Sequence, residues 1–88
     1  MTAVDVSDGT PVALDVSAYP DLRETLQTTV VQNLGPDDLY LDYNDEVSAA
    51  TGIKLVGGAI WEIQKYDSGR PIWMISSGES DVRVLAFD

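Results

Sequence analysis

The chain has 88 residues, no cysteine, no histidine and a formal net charge of −10. A single domain of this length buries roughly 60 to 65% of the surface that its unfolded chain exposes, so its own core is modest. Without histidine and cysteine, the usual serine and cysteine nucleophile schemes and thiolate metal sites are excluded.

The negative charge is concentrated in the first half of the chain. Residues 1–46 hold ten acidic residues and one basic residue, whereas residues 47–88 hold five acidic and four basic residues. Nucleic acids are bound largely through Lys and Arg that neutralise phosphates, and anionic membranes attract the same side chains. We therefore expect neither a nucleic acid nor a membrane as partner, and an acidic surface that mainly confers solubility.

The N-terminal sequence lacks the basic region and the apolar run of a signal peptide, and no segment approaches 18 consecutive apolar residues. The absence of cysteine agrees with assembly in a reducing cytoplasm. These features predict a protein that is synthesised in the cytoplasm and has no membrane anchor.

Residues 1–27 predict an N-terminal arm. Apolar residues recur at even positions up to residue 16, interrupted by a turn signal at residues 8–11, which indicates one or two short strands. Either this arm adds to the sheet edge of a neighbouring molecule, with Val4 and Val6 as contacts, or it is an ordinary edge strand of the same domain. A single helical turn is predicted within residues 17–27, with a loop as the alternative.

Residues 28–88 predict the β-rich core of the domain. Residues 28–33 are rich in β-branched side chains, a turn cluster follows at 33–38, and residues 39–43 alternate as a second strand. Together they predict either a hairpin or a corner between two sheets.

The acidic run that starts at Asp42 suggests a calcium loop, because side-chain oxygens recur at its first, third and fifth positions. The template then fails, since Val47 stands where glycine is needed and Ile53 where glutamate is needed. We therefore predict a solvated acidic loop and no metal site. Residues 47–55 predict either an extended strand and a tight turn, which we favour, or a helical turn ended by Gly52.

The pattern that follows predicts a β-hairpin. Residues 59–66 alternate, with Trp61 and Ile63 on one side, and Asp67 and Gly69 supply an Asx-type bond and a positive φ for a tight turn. The return arm, residues 72–76, is apolar at four successive positions, which is typical of a strand covered on both faces. The core is the first interpretation for both tryptophans.

The last strand predicts a second apolar face. Val82, Val84 and Ala86 share one side, and Arg83, Leu85 and Phe87 share the other. A face with Leu85 and Phe87 beside one arginine either forms a contact surface or caps one end of the core. The residues that we expect at a protein interface are Val4, Val6, Trp73, Leu85 and Phe87.

Short strands, frequent turn signals and little helix predict an all-β fold, a small antiparallel β-sandwich or barrel of six to seven strands with an extended N-terminal arm. The order of segments also resembles small all-β structural proteins of tailed bacteriophages. In that group an xVxNxG strand, a VYLG-like strand, a TxxxGxxL segment, a LYAIS-like strand and a VRVL ending follow one another. The matching segments here are residues 30–35, 39–41, 47–55, 58–63, 72–76 and 81–85.

The resemblance covers about residues 28–86 and includes no catalytic motif. The chain differs from the group at residues 41–43, where the group usually has glycine, and in its longer N-terminal part. The resemblance implies a non-enzymatic virion component, most simply a capsid decoration (cement) protein on the outer capsid surface. Its partners would be the major capsid protein and sister copies in a symmetric oligomer such as a trimer. No cofactor is implied.

Two other classes of function stay open. A carbohydrate- or receptor-binding head or tail module would use exposed aromatic residues beside acidic loops. Its candidate residues are Tyr40, Tyr43, Trp61 and Tyr66. A small inhibitor that mimics DNA would use the acidic half against a basic target.

Overall fold

Alternating and β-branched segments form strands throughout the part of the chain that the computed structural model describes, which comprises residues 2–14, 16, 26–67 and 69–87. These residues form no helix, and so none that could span a membrane. They form eight strands: β1 (Thr2–Ser7), β2 (Val12–Ala13), β3 (Leu26–Pro36), β4 (Leu39–Asp42), β5 (Ile53–Leu55), β6 (Ile60–Asp67), β7 (Trp73–Ser76) and β8 (Glu79–Phe87).

The strands form two antiparallel sheets of four strands each. Sheet A has the order β1-β8-β3-β6, and sheet B has the order β2-β7-β4-β5. The predicted all-β sandwich class is confirmed, with eight strands in place of six to seven. The N-terminal strand β1 pairs with β8 of its own chain along its whole length, from Thr2 opposite Val84 to Ser7 opposite Glu79. It is therefore an edge strand of the domain.

The core lies between the two sheets because alternate residues of each strand point inward. Sheet A contributes Val31, Val82 and Val84, and sheet B contributes Leu39 and Met74, all with at most 1% of their surface exposed. The sequence alternation that predicted the inward face of β8 is confirmed.

The predicted hairpin of residues 59–76 is wrong, although both of its strands exist. Strand β6 pairs with β3 in sheet A, whereas β7 pairs with β2 and β4 in sheet B. The turn has the expected Asx bond, from Gly69 N to Asp67 Oδ1 at 2.8 Å, but Gly69 does not have a positive φ. The chain crosses between sheets after this turn, because the inward residues of β7 complete the opposite side of the core.

Tyr66 stabilises the segment in which the chain crosses from sheet A to sheet B, and its ring is buried in the core. Its hydroxyl accepts a hydrogen bond from Ile72 N at 3.0 Å and donates one to Leu14 O at 3.3 Å. Tyr66 faces inward, like Ile63, although the two are three positions apart in the strand. A bulge makes this possible: Gln27 pairs with Tyr66 and Thr29 with Ile63, and Lys65 adopts a φ of 54°.

Residues 28–43 form the predicted corner between sheets, not a hairpin, because β3 belongs to sheet A and β4 to sheet B. The side chain of Asn33 is fully buried at this corner. Its Nδ2 donates to Asp37 O at 2.9 Å and to Leu55 O at 2.8 Å, and its Oδ1 accepts from Gly35 N at 2.9 Å. The φ of Gly35, 89°, is one that side-chain-bearing residues rarely adopt.

Asp37 joins the same corner to the turn between β7 and β8. Its Oδ2 accepts from Glu79 N at 2.8 Å, and its carbonyl accepts from the Ser80 hydroxyl at 2.9 Å. A Cβ atom at Gly78 would overlap the Asp37 carboxylate, so a larger residue there would displace the carboxylate from its hydrogen bond with Glu79 N. One end of the sandwich is thus fixed by polar contacts between the two sheets.

Two further expectations concern the loops. The favoured interpretation of residues 47–55, an extended strand and a tight turn, agrees with the structure: residues 48–52 form a turn with a hydrogen bond from Gly52 N to Ser48 O at 2.9 Å, and β5 follows. The predicted helical turn falls mainly on residues 17–25, which lie outside the described residues.

We expect Asn33→Leu to lower the free energy of unfolding by about 2 to 4 kcal/mol, because it removes the side-chain partners of the Leu55 carbonyl and the Gly35 N–H group, and one of the two donors to the Asp37 carbonyl. Urea unfolding followed by tryptophan fluorescence measures the change. Asn44→Leu is the matched control, since the Asn44 side chain is exposed and accepts one hydrogen bond, from Glu46 N. Equal losses for the two variants would contradict this role of Asn33.

We expect Tyr66→Phe to cost about 1 to 2 kcal/mol of unfolding free energy, because the backbone groups of Leu14 and Ile72 lose their shared partner. Tyr43→Phe should change stability little, since the Tyr43 side chain is 52% exposed. Thermal unfolding of both variants provides the comparison, and an unchanged melting temperature for Tyr66→Phe would show that the hydroxyl does not hold the crossing.

Candidate functional site

The outer face of sheet A carries apolar residues that the core does not use. On β3 and β8 the residues that alternate with the core positions point outward, and Val30 lies directly opposite Leu85 while Thr28 lies opposite Phe87. On β6, Ile60 lies opposite Gln32 of the same face. We define the outer patch as Val30, Leu34, Ile60, Leu85 and Phe87.

The outer patch is exposed to an unusual degree for large apolar side chains. Leu34 is 45% exposed, Ile60 62%, Leu85 37% and Phe87 46%, and Val30 is half-buried between β6 and β8. Single exposed apolar residues are common, but several on one sheet face indicate a contact surface. Because these side chains stand on three hydrogen-bonded strands, the patch has a fixed shape before any partner arrives.

A charged cluster borders the outer patch on the side of β1. Asp5 of β1 and Asp81 of β8 lie directly opposite each other, which would be repulsive without a nearby cation. Arg83 supplies that cation: its Nη2 donates to Asp81 Oδ2 at 3.0 Å and its Nε to Asp81 Oδ1 at 3.3 Å. The hydrogen bond from Arg83 lowers the pKa of Asp81 below its usual 3.8, and the same pair raises the pKa of Arg83.

Leu85 and Phe87 lie in the outer patch, as the alternation of β8 predicted. Trp73 lies elsewhere: it is half-buried on the outer face of sheet B, paired with Ala13 and Asp42. Val6 is fully buried and Val4 packs against the core, so the structure places both on the inward face of sheet A. The interface candidates are therefore divided among two opposite faces and the core.

Sequence reasoning missed Leu34 and Ile60. Leu34 was assigned to a turn, although strand β3 runs on to Pro36, and Ile60 was not distinguished from its neighbours in the alternating run. The signal available for Ile60 was its position one residue before Trp61, which places the two on opposite faces of the same strand.

A second apolar feature lies at the open side of the sandwich, between the edge strands β5 and β6. It is a pocket of about 90 Å³ with Leu41 and Ile72 at its base and Trp61 at one wall. The side chains around the opening are Ile53, Tyr43, Asp42 and Thr51. Ile53 is 61% exposed and Tyr43 is 52% exposed. The guanidinium of Arg70 lies 4.8 Å from the Tyr43 ring centroid.

The four aromatic residues proposed for sugar binding are separated in the structure. Tyr43 and Trp61 meet at this pocket, Tyr66 is buried with a bonded hydroxyl, and Tyr40 lies on the outer face of sheet B opposite Lys54 and Ile75. A continuous aromatic platform is therefore not formed by these four residues.

The acidic loop uses several of its side-chain oxygens within its own fold. Asp42 Oδ1 accepts from Tyr43 N at 2.7 Å, and Asn44 Oδ1 accepts from Glu46 N at 2.9 Å. Asp37 caps Glu79, and Asp38 lies 3.4 Å from the Lys54 ammonium. Among the described residues no group of three acidic side chains is arranged to hold a metal ion.

Comparisons with protein-family models, curated proteins and solved structures found no match to this chain. The two apolar surfaces and their charged borders are therefore the basis for a functional inference.

The lowered pKa of Asp81 predicts how the Arg83 pair depends on pH. A carboxyl whose pKa is lower in the folded state stabilises the fold above its unfolded pKa, and that contribution is lost as pH falls through the folded value. NMR titration should place the Asp81 midpoint below 3.8, and Arg83→Gln should raise it toward 3.8. A midpoint that Arg83→Gln leaves unchanged would contradict the assignment of the shift to this pair.

Proposed function

We propose that this protein is a non-enzymatic virion protein of a tailed bacteriophage, a capsid decoration protein that binds the outer capsid surface and stabilises the shell. The observation that supports the proposal best is the outer patch, in which exposed apolar residues occupy the outward face of a sheet whose inward face already fills the core. The resemblance of residues 28–86 to small phage structural proteins is the reason that we propose a phage capsid as the assembly to which the protein binds.

The rigidity of the domain suits such a role. Asn33 and Asp37 fix one end of the sandwich, and Tyr66 fixes the segment in which the chain crosses between the sheets. These hydrogen bonds hold sheet A, which carries the outer patch, in a fixed position on sheet B. A preformed surface binds with little loss of conformational entropy. Copies joined in one oligomer would add avidity to contacts that are individually weak.

The charge distribution also supports an external position. A chain with a formal charge of −10 is repelled by packaged DNA, and a place on the outside of the shell avoids that contact. On the same face, Glu62 lies opposite Val30 of the outer patch, and Asp5 and Asp81 border the patch beside Arg83. A basic rim around an apolar site on the major capsid protein would complement this pattern.

Aromatic and aliphatic side chains near the centre of an interface usually carry most of its binding free energy. In the proposed arrangement Phe87 and Leu85 are these anchors, and Val30 and Ile60 exclude water around them. Association of sister copies into a symmetric oligomer, such as a trimer, would present several patches to the capsid lattice at once.

The experiment compares phage particles purified with and without this protein, followed by addition of the recombinant chain. We expect regular surface density at many equivalent positions only when the protein is present. We expect Phe87→Ser and Leu85→Ser to weaken binding to the bare shells by at least about tenfold each. Binding of the recombinant chain and of each variant is measured as the fraction that sediments with the bare shells.

Ile53→Ser is the matched control, because Ile53 is as exposed as the patch residues but lies at the pocket on the other side of β6. Shells that bind the Phe87→Ser variant as well as the unchanged chain, or that lose binding only with Ile53→Ser, would overturn the outer patch as docking surface. Absence of surface density from particles that contain the protein would overturn the decoration role itself.

A further inference from the structure

The pocket between β5 and β6 has features that the proposed capsid contact does not use. Its base is formed by core residues, Leu41 and Ile72, while the side chains around its opening, Ile53 and Tyr43, are more than half exposed. An apolar opening of this kind is unfavourable in water unless something covers it. We therefore expect this opening to be covered by a binding partner.

We propose that this pocket receives one aliphatic side chain from an extended segment of a partner protein, and that the segment has basic residues on both sides of that side chain. The inference does not rest on the capsid proposal, because it concerns a different surface and would hold for a partner of any origin.

The size of the pocket sets the class of side chain. A cavity of about 150 Å³ lined by aliphatic and aromatic residues accommodates benzene. The present pocket, at about 90 Å³, is smaller and suits a branched aliphatic group such as that of leucine or valine. Its wall at Trp61 and base at Ile72 offer dispersion contacts to such a group.

A sugar fits this pocket less well. Sugar recognition requires several polar groups directed at hydroxyls. Among the polar side chains of the lining, Asp42 Oδ1 already accepts the Tyr43 N–H group at 2.7 Å, and the Thr51 hydroxyl accepts the Ser48 N–H group at 3.3 Å. The base of the pocket is apolar. The chemistry of the lining therefore favours a hydrocarbon group over a ring that bears hydroxyls.

The neighbouring strand determines the conformation of the segment. Strand β6 is the last strand of sheet A, and residues 60–63 pair with β3 on one side only among the described residues. The outward backbone groups of an edge strand are available to a further strand, and such pairing next to a pocket is a known mode of peptide recognition. The bulge at Lys65 limits this pairing to the part of β6 that carries Trp61.

Charge complementarity determines the flanking residues. Asp42 is part of the lining, Asp45 and Glu46 lie in the exposed loop that follows, and Glu62 is next to Trp61 on β6. Arg70, over Tyr43, offsets one of these charges. A second copy of this chain is a poor occupant, because each copy has a formal charge of −10.

The test is an NMR titration of the isotope-labelled full chain with the peptide acetyl-Lys-Thr-Leu-Thr-Lys-amide. We expect saturable shifts of the Trp61 indole N–H and of the β6 backbone amides. Replacing the leucine of the peptide by glycine should weaken binding by at least about tenfold, because burial of the aliphatic group is lost. Replacing both lysines by glutamates should also weaken it, and raising the salt concentration should reduce the affinity for the lysine peptide.

Two matched variants locate the site. Ile53→Ser should weaken binding of the leucine peptide, whereas Leu85→Ser, at an exposed aliphatic residue of the outer patch on β8, which β3 separates from β6, should leave it unchanged. Both positions are on the surface, so the spectra of the unbound variants should show an intact fold. Equal affinity for the leucine and glycine peptides, or equal affinity of Ile53→Ser and the unchanged chain, would overturn the proposal. So would shifts confined to the outer patch, or binding of simple oligosaccharides in place of the peptide.

Discussion

The arrangement of the two sheets depends on the hydrogen bonds of the Asn33 side-chain amide. The amide is fully buried at the corner between β3 and β4, and its three hydrogen bonds reach Gly35, Asp37 and the end of β5 at Leu55. An amide in this position is costly if any partner is lost, because water cannot replace it. The corner therefore has one favourable geometry, and that geometry sets how sheet B lies over sheet A.

The strands of this fold could be predicted from the sequence, but their pairing could not. Alternation located the inward face of β8 and the two sides of β6, and the glycine and proline residues after Asn33 indicated a corner as one of two possibilities. The predicted pairing of β6 with β7 failed because Tyr66 and Ile72 meet across the two sheets. An Asx turn at Asp67 is equally compatible with a hairpin and with a crossing, since the choice depends on residues distant in sequence.

The candidate site could be predicted only where it follows from alternation within one strand. Leu85 and Phe87 were found because their neighbours on β8 are evident core residues. Val6 lies in the core because the N-terminal strand pairs within its own chain, which is one of the two alternatives that the sequence leaves open. Ile53 was considered only as a failed calcium ligand, although its exposure on the edge strand β5 makes it part of an apolar pocket.

The acidic charge and the exposed apolar residues limit the partner more strongly together than either does alone. Apolar surface by itself would favour self-association, and a charge of −10 by itself would favour a solvated monomer. At both the outer patch and the pocket the apolar side chains stand beside carboxylates, with Arg83 and Arg70 compensating only part of the charge. Carboxylates at the border of an apolar contact lose hydration when a partner binds, and a basic partner compensates that loss whereas an acidic one does not. In both proposals the partner is therefore basic and carries protruding apolar side chains, and contacts between sister copies would be favourable only where they keep these borders in water.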